Sequence, residues 1–169
     1  MLNQENRNGN TFNGNAFVDI TFLKDFKFTF NVGTTVNEIR YYTTTNPYYG
    51  FGAEQNGTVT MYHYRTTTLN LQQILNYSHN FGKHNISVML GHESYKYNYA
   101  ELSASKKNMF SYWGNHELNG AVIDGSSAAS YSNDYNTEGY FFRALYDYDA
   151  KYYFSASYRR DASSRFHPE

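Results

Sequence analysis

Histidine is the side chain in this sequence that could most readily bind a metal ion or transfer a proton. Six occur, and His79, His84 and His92 fall closest together, with Glu93 directly after the last of them. No pair has the spacing of a zinc-binding helix, and adjacent residues on a strand point to opposite faces. The chain has no cysteine, which excludes thiolate ligands, disulfides and thiol catalysis. The pattern therefore favours interfacial or loop histidines over a metal site.

The carboxylates are scattered, and the sequence brings no two of them into the geometry of an acid and a base. Asp19, Arg143, Asp147 and Arg159 are better interpreted as charge ladders on a wet face, because opposite charges across strands are modestly stabilising. The run from Arg159 to Asp161 predicts a salt-bridged strand end. No glycine-rich nucleotide motif occurs. We therefore expect no enzyme activity, no cofactor and no metal.

Composition narrows the class of protein further. The 14 Lys and Arg nearly balance the 15 Asp and Glu, and this argues against nucleic acid as a partner. Aromatic residues make up 20% of the chain, with 19 Tyr and 13 Phe, and tyrosine suits positions that are apolar at one end and wet at the other. No run of about 18 apolar residues predicts a transmembrane helix. A mean hydropathy of -0.73 is compatible with strands that alternate.

Alternation with a period of two predicts six strands. The third stripe is the weakest, because Gln73 interrupts it. Beyond Gly91 the large residues change parity, which a bulge or a passage from lipid to open water would explain. The predicted stripes are Ala16 to Phe22, Phe26 to Val32 (in a strand continuing to Tyr42), Leu69 to Tyr77, Ile86 to Leu90, Tyr140 to Tyr148, and Tyr152 to Tyr158.

The connections between these strands are unequal. Short turns are predicted at Leu23–Asp25, Asn80–His84 and Tyr148–Lys151. Long polar connections are predicted from Thr43 to Gly57 and from Ala100 to Thr137, with the serine-rich tract Ser126–Ser130 at the tip of the second. Outer-membrane barrels have this asymmetry of short periplasmic turns and long extracellular loops.

Aromatic residues also cluster by height near the short turns, as in a membrane girdle. Aromatic residues favour strands in general, but that preference does not predict clustering at one height. The predicted row comprises Phe22, Phe26, Tyr77, Phe81, Tyr146, Tyr148 and Tyr152. The fold class predicted is all-β: an antiparallel up-and-down meander of about six strands, forming an arc of a large transmembrane β-barrel.

The C-terminal hairpin carries a resemblance to a known family. Residues 139–148 (GYFFRALYDY) and 151–166 (KYYFSASYRRDASSRF) resemble a barrel segment of the SusC/RagA-type TonB-dependent outer-membrane transporters. Asn80–Asn85, followed by Leu90–Glu93, is similar to another hairpin of that family. Ala162 stands where the family usually has glycine. The resemblance covers nearly the whole chain in order.

This resemblance implies a function. Such transporters import nutrients, commonly oligosaccharides or peptides, across the outer membrane of Gram-negative bacteria through a plugged barrel. A SusD-like surface lipoprotein caps the barrel, and the TonB complex supplies energy. Residues 1–169 then form a partial barrel domain that lacks the signal peptide, the plug and the remaining strands. Because an open sheet in lipid leaves two edges unpaired, we expect the isolated chain not to fold as a stable monomer.

Loop aromatics are the only candidates for contact with a ligand or partner: Tyr48, Tyr49, Phe51 and Trp113. Aromatic faces stack on sugar rings, but loop packing is the favoured interpretation. A surface-exposed soluble β-sandwich that binds glycans is the alternative, and it predicts strands of about five or six residues with Greek-key crossings. A lipid-modifying barrel enzyme would need a nucleophile and a base at one height, and no Ser-His pair provides them.

Overall fold

The computed structural model describes residues 3–110 and 116–166, apart from the side chains of residues 123–126. These residues form one six-stranded antiparallel sheet whose strands neighbour each other in chain order, so that the first and last strands are its edges. This confirms the predicted meander. The strands are β1 (Gln4–Phe22), β2 (Phe26–Thr45), β3 (Thr58–Phe81), β4 (His84–Met109), β5 (Ala121–Tyr148) and β6 (Tyr152–Ser163).

The strands are much longer than those of a sandwich. β1 to β5 contain between 19 and 28 residues each, whereas strands of globular proteins average about five or six. Successive strands pair directly, without the crossing of a Greek key. The short strands and crossed topology expected of a glycan-binding sandwich are therefore wrong for this chain. Within the described residues, no helix is long and apolar enough to cross a membrane.

The three predicted short turns are confirmed. Leu23 and Lys24 both have positive φ, as do Asp149 and Ala150. Positive φ at two successive residues is a feature of the primed turns, whose twist matches paired antiparallel strands. Between β3 and β4 the turn places Gly82 at φ 68, a conformation that glycine adopts without steric cost.

The long connections are shorter than predicted, and this is the main correction. The first spans residues 46–57 and contains a short 3-10 helix, Gly50–Gln55. The second spans residues 110–120 instead of Ala100 to Thr137, because β4 and β5 extend into the predicted loop. The tract Ser126–Ser130 therefore belongs to β5 and is not a loop tip. These segments lack the apolar alternation from which the other strands were predicted.

Other strand ends also differ from the prediction. β1 begins at Gln4, although alternation is visible only from Asn15, and β6 continues to Ser163. At Gly91 the change of parity occurs inside an uninterrupted β4. The start of β1, the end of β6 and β4 around Gly91 are held by backbone hydrogen bonds to a neighbouring strand. These bonds do not depend on the type of side chain.

The chain divides into two compact units. The turn-side unit, which holds the three short turns, comprises Asn13–Thr35, Thr68–Tyr97 and Asp134–Glu169. The loop-side unit, which holds the two longer connections, comprises Met1–Phe12, Val36–Thr67 and Asn98–Asn133.

A small core lies in the loop-side unit. Val59, Met109 and Ala121 are buried together, and Leu118 packs against them. The adjoining connection is fixed by backbone bonds, because the amide of Asn108 donates to the carbonyl of Gly57 at 3.1 Å. Among the residues whose side chains are described, the buried hydrophobic residues are Val59, Met109 and Ala121. The turn-side unit contains none of these three residues, and its side chains divide between an apolar face and a polar face.

Candidate functional site: an apolar face, a polar face and a tyrosine cluster

One face of the turn-side unit is apolar and open. Strand pairing brings Ala144 opposite Ala156 and Tyr146 opposite Phe154, so the predicted stripes of β5 and β6 share this face. Soluble proteins rarely expose a continuous apolar patch larger than a few hundred Å². Its exposed members include Val18, Ile20, Phe22, Leu90, Tyr140, Tyr148, Tyr152, Phe154 and Tyr158. We call these residues, with the rest of the predicted stripes, the apolar face.

Aromatic rings form a row along the short turns, as the sequence predicts. Phe22 stacks on Phe26 with ring centroids 5.4 Å apart, and Phe26 meets Tyr77 at 4.8 Å. Tyr77 continues to His79 at 6.4 Å, and His79 meets Phe81 at 4.2 Å. The sequence identified the phenylalanines and tyrosines of this row but not its histidine.

The histidines near the turns are held by single partners. His79 Nδ1 lies 2.8 Å from an Asp25 carboxylate oxygen. His84 Nδ1 lies 2.7 Å from the Tyr146 hydroxyl, and its ring centroid is 4.9 Å from that of Tyr148. Within residues 3–110 and 116–166, no three metal-binding side chains converge. These histidines thus lie at the end of the sheet that carries the short turns, and His84 adds a ring to the aromatic row.

The opposite face of the turn-side unit is polar. Asp19 receives a hydrogen bond from Thr29 at 2.6 Å and an ion pair from Lys27 at 3.0 Å. The Asn85 amide donates to Asp147 at 2.9 Å. Asp19 and Asp147 each lie one residue from an apolar stripe, so strand alternation places them on the other face, which also carries the exposed residues Phe17, Leu145 and Tyr153. The predicted ladder of opposite charges is confirmed at Asp19, which pairs with Lys27, whereas Asp147 is paired with a neutral amide.

The predicted salt-bridged strand end is also confirmed. Arg159 Nε donates to Asp161 at 2.9 Å, and Arg159 Nη2 lies 3.3 Å from Glu93. The guanidinium stands 5.7 Å from the centroid of the Phe141 ring. That ring in turn covers Gly91, where a Cβ would overlap it. These contacting residues are called here the Arg159 group: Arg159, Asp161, Glu93, Phe141 and Gly91.

One polar pair interrupts the apolar face. His92 Nδ1 lies 2.6 Å from Gln73 Oε1, and its ring stacks on Tyr140 with centroids 4.7 Å apart. In the sequence, Gln73 interrupts the third stripe, and His92 is interpreted as an interfacial or loop histidine in preference to a metal ligand. Their side chains instead pair with each other across neighbouring strands.

A tyrosine cluster lies in the loop-side unit. Tyr41 and Tyr62 have ring centroids 5.7 Å apart, and Tyr64 and Tyr99 have theirs 6.2 Å apart. Together with three charged residues they surround a cavity of about 350 Å³. The full lining is Glu5, Arg7, Tyr41, Tyr62, Tyr64, Tyr99 and Glu101.

Charged groups hold this tyrosine cluster in place. Arg7 Nη2 donates to the Tyr64 hydroxyl at 2.5 Å, and the Tyr99 hydroxyl donates to Glu101 at 2.5 Å. Burial, followed by the neighbouring Glu5 carboxylate, raises the pKa of Tyr41. Sequence reasoning missed this site because it placed no strand before Asn15 and ended the fourth strand near Ala100. The alternation of Tyr62 with Tyr64, and of Glu5 with Arg7, was the available signal.

Three of the predicted loop aromatics, Tyr48, Tyr49 and Phe51, do not line that cavity. Tyr48 and Tyr49 are exposed in the first connection, and Phe51 is 84% exposed at its 3-10 helix. Trp113 lies outside the described residues. Their role as ligand or partner contacts stays a prediction.

Known proteins resemble this chain in sequence. No protein-family model matches it. A curated relative, TonB-dependent receptor P3 of Formosa agariphila, is 29% identical over 169 residues. The match covers 96% of this chain and 16% of the relative, so the chain spans about a sixth of that protein.

Solved structures resemble it in fold. The structure of the RagAB peptide transporter matches with a TM-score of 0.87 and 23% identity, over 98% of this chain and 19% of that one. The RagAB peptide importer in its open-open state matches with a TM-score of 0.85 and 24% identity, over 98% of this chain and 18% of that one. The predicted resemblance is therefore confirmed to this extent: the chain is similar in sequence to a TonB-dependent receptor and in fold to RagAB.

Proposed function

We propose that this chain is part of the β-barrel of a TonB-dependent outer-membrane transporter that imports nutrients such as oligosaccharides or peptides. Residues 1–169 form one wall segment of the barrel, and a plug and further strands belong to other parts of the protein. The location is the outer membrane of a Gram-negative bacterium. The carrying observation is the division of the turn-side unit into one apolar and one polar face.

The apolar face has the properties of a surface that contacts lipid. Val18 is 55% exposed and Phe154 is 65% exposed, although a water-soluble sheet would cover such a row. A transmembrane strand needs about 9 to 11 residues, and each of the six strands is at least 12 residues long. The aromatic row along the short turns supports a membrane boundary there, which would be the periplasmic one.

The sheet edges support a larger barrel. β1 and β6 each have one neighbour among the described strands. In hydrocarbon, each unpaired backbone N–H or C=O group costs on the order of several kcal/mol. Both edges therefore require further strands in the complete protein, and for the same reason the isolated chain should not fold as a stable monomer.

The partners follow from the same proposal. A SusD-like surface lipoprotein would cover the mouth, and the TonB complex would act through parts of the protein outside residues 1–169. RagAB is a peptide transporter and peptide importer, which supports peptides as one substrate class. Outer-membrane lipid would contact the apolar face.

Single spin labels test this proposal in the complete transporter in membranes. Residues 1–169 contain no cysteine, so none of their side chains competes for a label introduced at Val18, Phe28, Val88 or Phe154. We expect these labels to collide mainly with dissolved oxygen, as in acyl chains. Matched labels one residue further along or back, at Thr29, Ser87 and Ser155, should collide mainly with a water-soluble nickel chelate. Labels at the four apolar positions that report protein interior or bulk water would overturn the proposal.

A further inference from the structure

We propose that the tyrosine cluster of the loop-side unit binds cationic groups, the ammonium or guanidinium of a basic peptide. The inference rests on the proposed transport function and deepens it, because it names a substrate class and a site. The site is the cavity of about 350 Å³ between Tyr41, Tyr62, Tyr64 and Tyr99.

The cavity has the size and shape of a side-chain subsite. Ligand pockets for small molecules span about 300 to 1,000 Å³, and this one lies at the lower end. Four strands contribute to it: β1 provides Glu5 and Arg7, β2 provides Tyr41, β3 provides Tyr62 and Tyr64, and β4 provides Tyr99 and Glu101. A site built on four paired strands is held more rigidly than one built on loops.

The tyrosine cluster occupies the parity of the polar residues. Tyr41 is an odd position of β2, as are Lys27, Thr29 and Asn31, and Tyr99 is an odd position of β4, as are Asn85 and Glu93. The polar residues of the turn-side unit are those we propose to face the interior of the barrel.

Aromatic faces of this chain already attract cations. The Arg7 guanidinium lies 5.9 Å from the centroid of the Tyr64 ring, and the Arg165 guanidinium lies 4.0 Å from that of Tyr135. A cation over an aromatic face is drawn by the ring's quadrupole, and tyrosine is one of the favourable rings. Arg7 engages Tyr64, while Tyr62 is 36% exposed and offers a further ring to a ligand.

The charge balance of the cavity selects the sign of the ligand. Two carboxylates, Glu5 and Glu101, oppose one guanidinium, Arg7, which leaves one excess negative charge. The Glu101 carboxylate accepts from Tyr99 and keeps lone pairs for an ammonium or guanidinium donor. A neutral sugar would gain nothing from that charge, and an acidic peptide would be repelled.

Binding of defined peptides to the complete purified transporter tests the inference. The probes are acetyl-Lys-Ala-Lys-amide, its neutral analogue with Gln for Lys, its acidic analogue with Glu for Lys, and maltotriose as a neutral sugar. By isothermal titration calorimetry at low salt we expect the basic peptide to bind at least tenfold more tightly than the neutral one, a difference of about 1.4 kcal/mol. The preference should shrink as salt is added.

Matched variants locate the preference at the cavity. Glu101→Gln and Tyr62→Ala should each remove most of the tenfold difference between basic and neutral peptide. Two controls should keep it: Glu54→Gln, at an exposed carboxylate of the first connection, and Tyr153→Ala, at an exposed tyrosine of the turn-side unit. Native-like folding of every variant is checked by its heat-dependent mobility on gels.

Three results would overturn the inference. They are equal binding of the basic and neutral peptides, tighter binding of maltotriose than of the basic peptide, and a preference that survives both cavity variants. The first two are read on the unsubstituted protein and so do not depend on the folding of a variant. None affects the spin-label pattern, so failure here is distinguishable from failure of the proposed function.

Discussion

The turn-side and loop-side units are built from the same six-stranded sheet, yet they are stabilised in different ways. In the turn-side unit, apolar and polar residues occupy opposite faces, and Asp19 lies between Val18 and Ile20 in the chain. In the loop-side unit, tyrosines surround a cavity with charged residues, and Val59 is buried in a small core. We attribute the difference to the surroundings: the turn-side unit would have lipid on one face and water on the other, and the loop-side unit would have water on both.

A charge placed on each face is the strongest way to test this comparison. Val88→Arg puts a guanidinium on the apolar face, between Ile86 and Leu90. We expect it to lower the free energy of unfolding in lipid by about 2–4 kcal/mol, the cost of an arginine near the bilayer midplane. Chemical denaturation of the complete protein in vesicles measures the loss.

The neighbouring position supplies the control for that charge. Ser87→Arg adds the same side chain one residue earlier, beside Ser78 on the polar face, and should change the free energy by less than about 1 kcal/mol. Equal losses at the two positions would show that the faces do not differ in their surroundings.

The contact between Gly91 and Phe141 tests the packing of the Arg159 group. A Cβ at position 91 would overlap the Phe141 ring, so Gly91→Ala should destabilise the protein by about 1–3 kcal/mol, as overpacking does. In a Phe141→Ala background the same change should cost little, and the double-mutant cycle gives the coupling. An unchanged cost in that background would mean that the ring is not the obstacle.

The buried core of the loop-side unit gives a local effect. Val59→Ala removes two methyl groups from a fully buried side chain, which should cost about 1.5 kcal/mol. Hydrogen exchange should quicken at the amides of Asn108 and Met109, which donate to the adjoining connection.

An amide of the other unit is the internal control. Ser78 donates its N–H to the Asp25 carbonyl at 2.9 Å beside a short turn, and its exchange rate should not change in Val59→Ala. A uniform rise in exchange rate across both units would contradict the expectation that Val59→Ala destabilises only the loop-side unit.

The contrast between the units also explains what could be predicted. Alternation placed Val18, Phe28 and Phe154 on one face, as we expect if the proposed lipid and water lie on opposite sides of each strand. No such demand acts on residues 100–109 of β4, and their polar sequence was therefore interpreted as a loop. Turn chemistry was visible at Gly82, whereas Leu23 and Lys24 have positive φ although neither is a glycine or asparagine, the residues that signal such a turn.

The candidate sites follow the same rule. The charge ladder at Asp19 and the strand end at Arg159 were predictable, because their partners lie in recognisable strands. The tyrosine cluster was not, since its members come from four strands and Glu5 was outside every predicted one. The pairing of Gln73 with His92 depends on register between β3 and β4, which a single sequence does not provide.

The smallest expected effect concerns the water content of the polar face. The Asn31 amide donates to Gln72 Oε1 at 3.0 Å across neighbouring strands. If water reaches this face, either side chain can be removed and the other will bond to water. Cross-strand pairs of this kind contribute about 0.2–1 kcal/mol. The cycle of Asn31→Ala, Gln72→Ala and the double variant should therefore give a coupling in that range. In a dry interior each single variant would leave an unsatisfied amide, at a cost of about 1–3 kcal/mol. A loss of that size for either single variant would contradict the wet interior that distinguishes this face from the apolar one.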